Sequence, residues 1–153
     1  MMRLQGLVSW VVTLINRLDG GLFMNKLNFG KYKGLSLREV SDFDFQYILW
    51  CIKNIRDFEN KLSNEDRITL KYIVNPFDGI NTNSISYKEL VSLLKQRGII
   101  KSCIGYVNSD NDIVLKLETI YGICHHYESV DNMFYDLKSV IVKHINRWIK
   151  KYF

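Results

Sequence analysis

The stretch that decides the first part of the fold is LNFGKYKGLSLREV, residues 27–40. Gly30 and Gly34 bracket the triplet Lys-Tyr-Lys, and two glycines at this spacing are typical of a tight turn, because glycine adopts backbone angles that other residues avoid. The apolar positions in Leu27–Phe29 predict a short strand that leads into the turn. The stretch therefore predicts a compact unit that holds two lysines close together.

Helix signals follow the turn directly. Ser36 precedes Glu39 by three residues, and this capping-box pattern predicts that a short helix begins just after the serine. Asp44 or Ser41 then caps a second helix, which the spacing of apolar residues extends to about Phe58. The sequence therefore predicts a small strand–turn–helix module.

The remainder of the chain shows helical periodicity up to Gly98 and strand-like runs after it. The β-branched runs on both sides of Asn108–Asp112 predict a hairpin with a polar tip. The predicted elements are a helix over residues 65–74, a helix from Ser86 to about Arg97, a hairpin of residues 99–107 and 113–117, and a long amphipathic helix over residues 130–152. The predicted fold class is α+β and mostly helical: a short N-terminal strand–turn–helix module precedes a C-terminal unit of helices around a β-hairpin.

Three segments are predicted along the chain, with boundaries after residues 23 and 61. Residues 1–23 form an amphipathic helix, because their apolar side chains recur at helical spacing until Gly20-Gly21, or they precede a native start at Met24. Residues 24–61 hold the module, and residues 62–153 form a helix–helix–hairpin–helix unit. The linker between these two segments is short, so a single continuous core is the alternative arrangement.

Composition favours a folded protein with a modest basic surface. The 153 residues carry 21 Lys or Arg against 16 Asp or Glu, a formal charge of +5 that suits a nucleic-acid partner without requiring one. Three cysteines without a CxxC spacing indicate free thiols and a reducing, cytoplasmic location. The apolar run near the N-terminus is too short to span a bilayer, so no membrane partner is expected.

The segment Phe29–Gly34, which reads FGKYKG, and the later cluster Tyr47-Ile48-Leu49-Trp50 together resemble the small C-terminal domain of exodeoxyribonuclease X-like proteins. The resemblance covers residues 27–54, and its pattern is more specific for the module than for an activity. It departs at Phe45, shortly before Tyr47, where such modules usually carry a proline, so the start of the second helix is expected to differ. The same module occurs alone in short bacterial and phage proteins, which implies an accessory protein of phage or mobile-element origin.

The turn has the chemistry of a nucleic-acid contact. The ammonium groups of Lys31 and Lys33 suit a phosphate backbone, and the Tyr32 ring suits stacking on an unpaired base. The alternative is structural: Tyr32 packs with Trp50 in a small core, and the lysines are solvated turn residues. Given the resemblance, these three turn residues are the leading contact candidates, and DNA rather than RNA is the expected partner. A secondary basic patch is predicted on the last helix, made of Lys143, Arg147, Lys150 and Lys151.

Catalytic, cofactor and metal sites are not predicted. The nuclease chemistry of the resembled enzymes needs several carboxylates around two metal ions, whereas the acidic residues here are scattered. Residues 78–89 follow the calcium-loop template in part, but Ile80 stands where an oxygen ligand belongs. Cys124–His126, with Cys103 and His144, lacks a second paired set of zinc ligands and a third group to orient a Cys–His nucleophile. We expect no enzyme, no cofactor and no metal.

Two other functions fit parts of the sequence. The order helix–turn–helix–hairpin fits a winged helix with Lys88, Lys95 and Arg97 on its second helix, but the wing tip carries two aspartates, which would repel DNA. The main alternative is a structural or protein-interaction component that assembles through its terminal helices, including self-association through residues 1–18. We favour a non-catalytic nucleic-acid-binding or nuclease-accessory protein.

Overall fold

The described parts of the chain form a mixed α+β structure, as predicted. A computed structural model describes residues 26–131 and 136–153. Its elements are, in chain order, α1 (Leu37–Phe43), α2 (Phe45–Asn54), a short 3₁₀ helix (Phe58–Lys61), α3 (Asn64–Val74), α4 (Tyr87–Gln96), β1 (Ile100–Val107), β2 (Asp112–Thr119), β3 (Ile123–Ser129) and α5 (Leu137–Tyr152). The helix predicted over residues 1–23 lies outside the described residues.

Side-chain caps start α1, α2, α3 and α4 within one residue of the predicted positions. Ser36 and Glu39 form a reciprocal capping box at α1, in which the Glu39 amide donates to the Ser36 hydroxyl over 3.1 Å. Asp44 is the N-cap of α2 and accepts from a backbone amide of its first turn. The caps of α3 and α4 are Ser63 and Ser86. Each cap satisfies an amide that has no partner inside its own helix.

The sheet has three antiparallel strands in the order β1-β2-β3. The predicted hairpin is present, and Asn108 closes its tip by accepting from the amides of Asp110 and Asp112 on its side-chain oxygen. Asn111 supplies the left-handed residue of this turn at φ +61°. The third strand was not predicted, because Ile123–Ser129 carries two histidines and two acidic or hydroxyl residues that weaken the strand signal.

Two predicted elements differ at the start of the module. Residues Leu27–Phe29 are irregular rather than a strand, although Leu27 is paired by backbone hydrogen bonds with the far side of the turn. The helix predicted to reach Phe58 ends at Asn54 instead, because Ile55 is extended and Asp57 adopts a left-handed conformation at φ +54°. The next helical segment is the short 3₁₀ helix, Phe58–Lys61.

The last helix begins at Leu137 and not at Val130. Val130 and Asp131 form a turn directly after β3, and residues 132–135 lie outside the described parts. The Asp136 carboxylate accepts from the Lys138 amide over 3.0 Å, so a capping side chain sets the start of α5. Neither this helix nor any other within residues 26–131 and 136–153 is long and apolar enough to cross a bilayer.

One hydrophobic core joins the module to the rest of the described chain. Ile48 of α2, Leu94 of α4 and Ile141 of α5 belong to the same buried cluster. The carboxylate of Asp66 in α3 accepts from the Leu37 amide at the start of α1 over 3.0 Å, inside the protein. The segment boundary after residue 61 stays a prediction, and the core passes across it.

Candidate nucleic-acid interface

Backbone hydrogen bonds close the FGKYKG turn (residues 29–34). The Leu27 amide donates to Leu35 O over 2.8 Å, and the Gly34 amide donates to Leu27 O over 2.9 Å. Gly30 and Gly34 adopt φ values of +75° and +95°, which glycine reaches without strain. Main-chain hydrogen bonds and the two glycine conformations therefore hold the path of the turn.

Gly30 also meets a neighbour at close range, because a Cβ atom at this position would overlap the Tyr47 hydroxyl. Gly79 is a matched control: its φ is +73°, but a Cβ there would have no heavy atom within 4 Å. We expect Gly30→Ala to lower the free energy of unfolding by about 1 kcal/mol more than Gly79→Ala, since only the first variant adds steric overlap to backbone strain. Urea unfolding followed by circular dichroism measures the difference. Equal losses of unfolding free energy in the two variants would show that a Cβ atom at position 30 does not overlap Tyr47.

Asp44 ties the turn to α2. One carboxylate oxygen accepts from the Tyr32 hydroxyl over 2.5 Å, and the other accepts from the Tyr47 amide over 3.1 Å. The Lys31 ammonium lies 3.8 Å from the oxygen that binds Tyr32. The Tyr32 hydrogen bond lowers the pKa of Asp44, with a smaller contribution from Lys31, so the carboxylate is ionised at neutral pH. Only the capping role of Asp44 is predictable from the sequence, because its contact with Tyr32 depends on the chain folding back.

Tyr32 belongs to a packed aromatic cluster. Its ring centroid lies 5.2 Å from that of Phe43 and 4.8 Å from that of Tyr47, edge to face in both cases. Tyr47 in turn stacks on Trp50 at 6.1 Å. The predicted packing of Tyr32 with Trp50 therefore runs through Tyr47. Tyr32 is half-buried, whereas Phe43 is 60% exposed and Trp50 53% exposed, so these two rings are the exposed aromatic surface beside the turn.

The two turn lysines face solvent. The Lys31 side chain is 66% exposed, and Lys33 is exposed as well. The Lys31 ammonium lies 5.0 Å from the centroid of the Tyr32 ring, and its interaction with the Tyr32 hydroxyl raises the pKa of Lys31, which keeps it charged. Exposed ammonium groups beside aromatic rings suit a phosphate backbone with unstacked bases. That use of the turn stays a prediction.

The secondary patch lies on α5, where all four predicted residues are exposed. Lys143, Arg147 and Lys151 are spaced four residues apart and share one side of the helix. At the C-terminal end of α5, the Tyr152 ring packs against Phe45 with centroids 5.6 Å apart. The structure therefore brings one end of the patch to the start of α2, the helix that Asp44 caps. Lys143 lies farther away, about 12 Å along the helix from Lys151.

The residues considered for metal binding have protein partners. Asp78 forms an ion pair of 2.9 Å with Lys71. His126 Nε2 lies 3.2 Å from a Glu128 carboxylate oxygen, and the His126 ring contacts His144 with centroids 6.0 Å apart. Burial is the main cause that lowers the pKa of His144. Within the part of the chain that the structure describes, no group of three or more His, Cys, Asp or Glu side chains is arranged to hold a metal ion.

The basic residues of the winged-helix alternative have different surroundings. The Arg97 guanidinium lies over the Tyr72 ring at 4.1 Å and donates to Pro76 O over 2.9 Å. Lys88 and Lys95 are exposed. Arg97 therefore already has partners within the protein, whereas Lys88 and Lys95 present positive charge to solvent.

The segment that forms the turn, α1 and α2 matches a known family model. Residues 27–56 match the family model described as exodeoxyribonuclease X-like C-terminal, which confirms the resemblance predicted from the FGKYKG pattern. No curated protein and no solved structure matches the chain. The match covers a segment and links that segment to a nuclease-related family. The chain therefore contains, at residues 27–56, a module similar to the C-terminal domain of exodeoxyribonuclease X-like proteins.

Proposed function

We propose that this protein binds nucleic acid without catalysis, with DNA preferred to RNA, as an accessory of a nucleic-acid-processing enzyme. Lys31 and Lys33 supply the leading phosphate contacts, and Tyr32 with its neighbouring rings supplies the aromatic surface. The secondary contacts come from Lys143, Arg147, Lys150 and Lys151. The observation that carries the proposal is the exposure of both lysines on a turn that main-chain hydrogen bonds close.

Preorganisation of the turn supports this function. A lysine on a mobile loop loses backbone entropy when it binds, whereas a lysine on a fixed turn loses only side-chain freedom. The glycines and the backbone hydrogen bonds described above fix the positions from which Lys31 and Lys33 extend. The exposed rings of Phe43 and Trp50 add stacking surfaces beside them.

The proposal includes a cytoplasmic location and a phage or mobile-element origin. Cys51, Cys103 and Cys124 are all free thiols, which suits a reducing compartment. The origin rests on the resemblance of the module to domains of short phage and bacterial proteins.

The absence of catalysis is part of the proposal, because the matched domain is the C-terminal one and the acidic residues of the chain are scattered. The protein, purified by two independent routes, is incubated with labelled single- and double-stranded DNA in Mg²⁺ or Mn²⁺. We expect no cleavage. Metal-dependent cleavage that persists at constant specific activity through both purifications would contradict this part of the proposal.

The binding itself is tested by fluorescence anisotropy with labelled single- and double-stranded DNA over increasing salt. Because each neutralised phosphate releases counterions, affinity should fall steeply as salt rises. No detectable binding at low salt would contradict the proposal.

Asp44 offers a gain-of-binding test. Its carboxylate lies 3.8 Å from the Lys31 ammonium and would repel an approaching phosphate. Asparagine is also a good N-cap, so Asp44→Asn should retain α2 while it removes the charge. We expect the affinity for DNA at low salt to rise by about two- to fivefold, a change equivalent to one exposed ion pair.

The control for this variant is Asp78→Asn, which removes a carboxylate that pairs with Lys71 over 2.9 Å on another part of the surface. Both variants change the net charge by the same amount. Anisotropy titrations should show the increase for Asp44→Asn only. An equal increase in both variants would assign the effect to net charge and not to the turn.

A further inference from the structure

A cavity opens where α1, α3 and α4 meet. It has a volume of about 290 Å³. Its lining includes Arg38 from α1, Thr69 and Tyr72 from α3, Gln96 at the end of α4 and Arg97 directly after it. Among the described residues, no acidic side chain lines the cavity. We call it the arginine pocket.

Arg38 is held at the C-terminal end of α4. Its Nη2 group donates to Lys95 O over 3.3 Å. Its guanidinium also packs directly on Gly98, where an added Cβ atom would lie 2.8 Å from the Arg38 Nε. Both contacts are made with the backbone, so they position the guanidinium while its charge stays unpaired.

Arg97 is the second cation of the arginine pocket. Its Nη1 group donates to Pro76 O over 2.9 Å, and the guanidinium lies over the Tyr72 ring at 4.1 Å. Arg97 is half-buried, so packing restrains its side chain in addition to this hydrogen bond. Two guanidiniums from separate parts of the chain are therefore positioned at one cavity before any ligand arrives.

The protein uses few of the hydrogen-bond donors of these two groups. A guanidinium carries five N–H donors, and the Arg38 and Arg97 guanidiniums each make one hydrogen bond to a carbonyl. Among the described residues, neither has a carboxylate within 4.0 Å. The planar fork of a guanidinium matches two oxygens of a phosphate group, which it binds through parallel hydrogen bonds.

Nearby negative groups do not cancel this positive charge. Asp42, Glu65 and Glu89 each stand one helical turn from a lining residue, but all three are exposed, so solvent screens them. Asp78 pairs with Lys71 over 2.9 Å and adds no net charge. The C-terminal end of α4 contributes about half a negative charge. Two full positive charges therefore exceed what surrounds them, and the arginine pocket suits an anion.

The other lining residues leave room for more than a phosphate group. Small-molecule sites begin at about 300 Å³, close to the volume of this cavity. Ile68 and Leu93 give it apolar surface, and Ile68 is 55% exposed. The Thr69 hydroxyl donates to Glu65 O over 3.2 Å, so its oxygen can still accept a hydrogen bond. This combination suits a phosphate that is carried by an organic group.

We propose that the arginine pocket binds a phosphate monoester, with Arg38 and Arg97 holding the phosphate oxygens and with Ile68 and Leu93 contacting the group that carries the phosphate. A monoester has between about 1.5 and 2 negative charges at neutral pH, which matches two guanidiniums, whereas a diester has one. A free mononucleotide and the terminal phosphate of a nucleic-acid strand share this chemistry. The inference is separate from the proposed function, because the phosphates along a strand are diesters.

The test uses the full chain labelled with ¹⁵N and follows amide chemical shifts at constant ionic strength. The first pair of probes is thymidine 5′-monophosphate and thymidine, which lacks the phosphate. The second pair is an oligo-dT strand with a 5′-phosphate and the same strand with a 5′-hydroxyl. The first pair tests the phosphate contact, and the second distinguishes a strand end from a free mononucleotide as its source.

Arg38→Gln removes the charge and retains a donor for Lys95 O. Arg67→Gln is the matched control, because Arg67 is an exposed arginine of α3 that also donates to a backbone carbonyl, Glu59 O, over 3.0 Å, and it does not line the arginine pocket. Arg38→Lys is a second variant, which retains the charge but lacks the planar fork. The amide spectrum of each variant reports whether it is folded.

We expect the mononucleotide to shift the amides of Tyr72, Gln96 and Gly98 in a saturable way, and thymidine to bind at least about tenfold more weakly, because charge-assisted hydrogen bonds are lost. Arg38→Gln should bind the mononucleotide at least about tenfold more weakly than the wild type, and Arg67→Gln within about twofold. Arg38→Lys should fall between the wild type and Arg38→Gln.

A response of these amides to the 5′-phosphorylated strand alone would support the inference and assign the pocket to strand ends. Equal responses to the two strands, with binding of the mononucleotide, would support it and assign the pocket to a free mononucleotide. Equal binding of thymidine and its monophosphate, equal losses in Arg38→Gln and Arg67→Gln, or shifts confined to residues 30–34 would overturn the inference.

The outcomes also separate the inference from the proposed function. A wild type that binds the mononucleotide at the arginine pocket but does not bind DNA would leave the inference standing and contradict the proposed function. A wild type that binds DNA through the FGKYKG turn but does not bind the mononucleotide or respond to a 5′-phosphate would overturn the inference alone.

Discussion

Asp66→Ala is expected to lower the free energy of unfolding by about 2–3 kcal/mol, because it removes a charge-assisted hydrogen bond inside the protein and leaves its donor without a partner. Asp66 is only 2% exposed and accepts from the Leu37 amide over 3.0 Å. Leu37 is the first residue of α1, and its amide has no acceptor within that helix. Urea unfolding followed by circular dichroism measures the loss.

The bond has a large effect because of where it lies. Asp66 is in the first turn of α3, where its own amide donates to Ser63, so its carboxylate lies near the start of two helices. Negative charge is favourable at both helix starts. The bond links the turn module to α3, and we expect its loss to destabilise the module and the rest of the core together.

Asp66→Asn is the matched control. The amide oxygen can still accept from Leu37, and the variant no longer buries a charge, so its free energy of unfolding at neutral pH should stay within about 1 kcal/mol of the wild type. A loss in Asp66→Asn as large as that in Asp66→Ala would show that the charge matters and the acceptor alone does not suffice. Wild-type stability in Asp66→Ala would contradict the assigned role altogether.

A comparison of the wild type with Asp66→Asn also tests a pH dependence. Burial raises the pKa of Asp66 above its ordinary value of 3.8, so the folded protein holds this proton more tightly than the unfolded chain does. The free energy of unfolding should therefore fall as pH rises from 3.8 through the raised pKa of Asp66. Asp66→Asn should lack this part of the pH dependence. Identical pH profiles for the two proteins would contradict the raised pKa.

The second large effect is expected on binding. The double variant Lys31→Ala with Lys33→Ala should weaken DNA binding at all sequences and reduce the slope of log affinity against log salt by about 2, one unit for each lost phosphate contact. Because the main-chain hydrogen bonds of the turn remain in the variant, it should stay folded, with at most a small loss of stability from the contact between Lys31 and Asp44. Anisotropy titrations and urea unfolding measure the two quantities.

Lys88→Ala with Lys95→Ala is the matched control, since it removes two exposed lysines from α4. It should leave the salt slope nearly unchanged. A larger effect from the α4 pair than from the turn pair would favour the winged-helix alternative and contradict the assignment of Lys31 and Lys33.

The sequence predicted those features of the fold that local chemistry controls. Helix starts at Leu37 and Tyr87 follow from a serine with a glutamate three residues later, because a cap acts within one turn. The FGKYKG pattern identified the module that the family match confirms. Its two glycines, Gly30 and Gly34, are a local signal because both adopt positive φ angles, which favour glycine. The polar tip of the hairpin at Asn108 was likewise a local signal.

Features that depend on distant partners could not be predicted. Strand β3 carries two histidines and is recognisable as a strand only through its pairing with β2. The link from Tyr32 to Asp44 joins residues that are 12 positions apart, and the exposure of Phe43 depends on how α1 packs. Asp66 reads as an ordinary residue of a first helical turn, and nothing nearby in sequence reveals its bond to Leu37.

The central claim is that the protein binds DNA through charge presented by the FGKYKG turn. Its most direct test is a pair of salt titrations by fluorescence anisotropy, one with the wild type and one with the Lys31→Ala, Lys33→Ala variant, on the same labelled DNA. We predict wild-type binding at low salt, a steep loss of affinity as salt rises, and a slope that is lower by about 2 in the variant. Absence of binding by the wild type at low salt, or identical slopes for the two proteins, would contradict the claim.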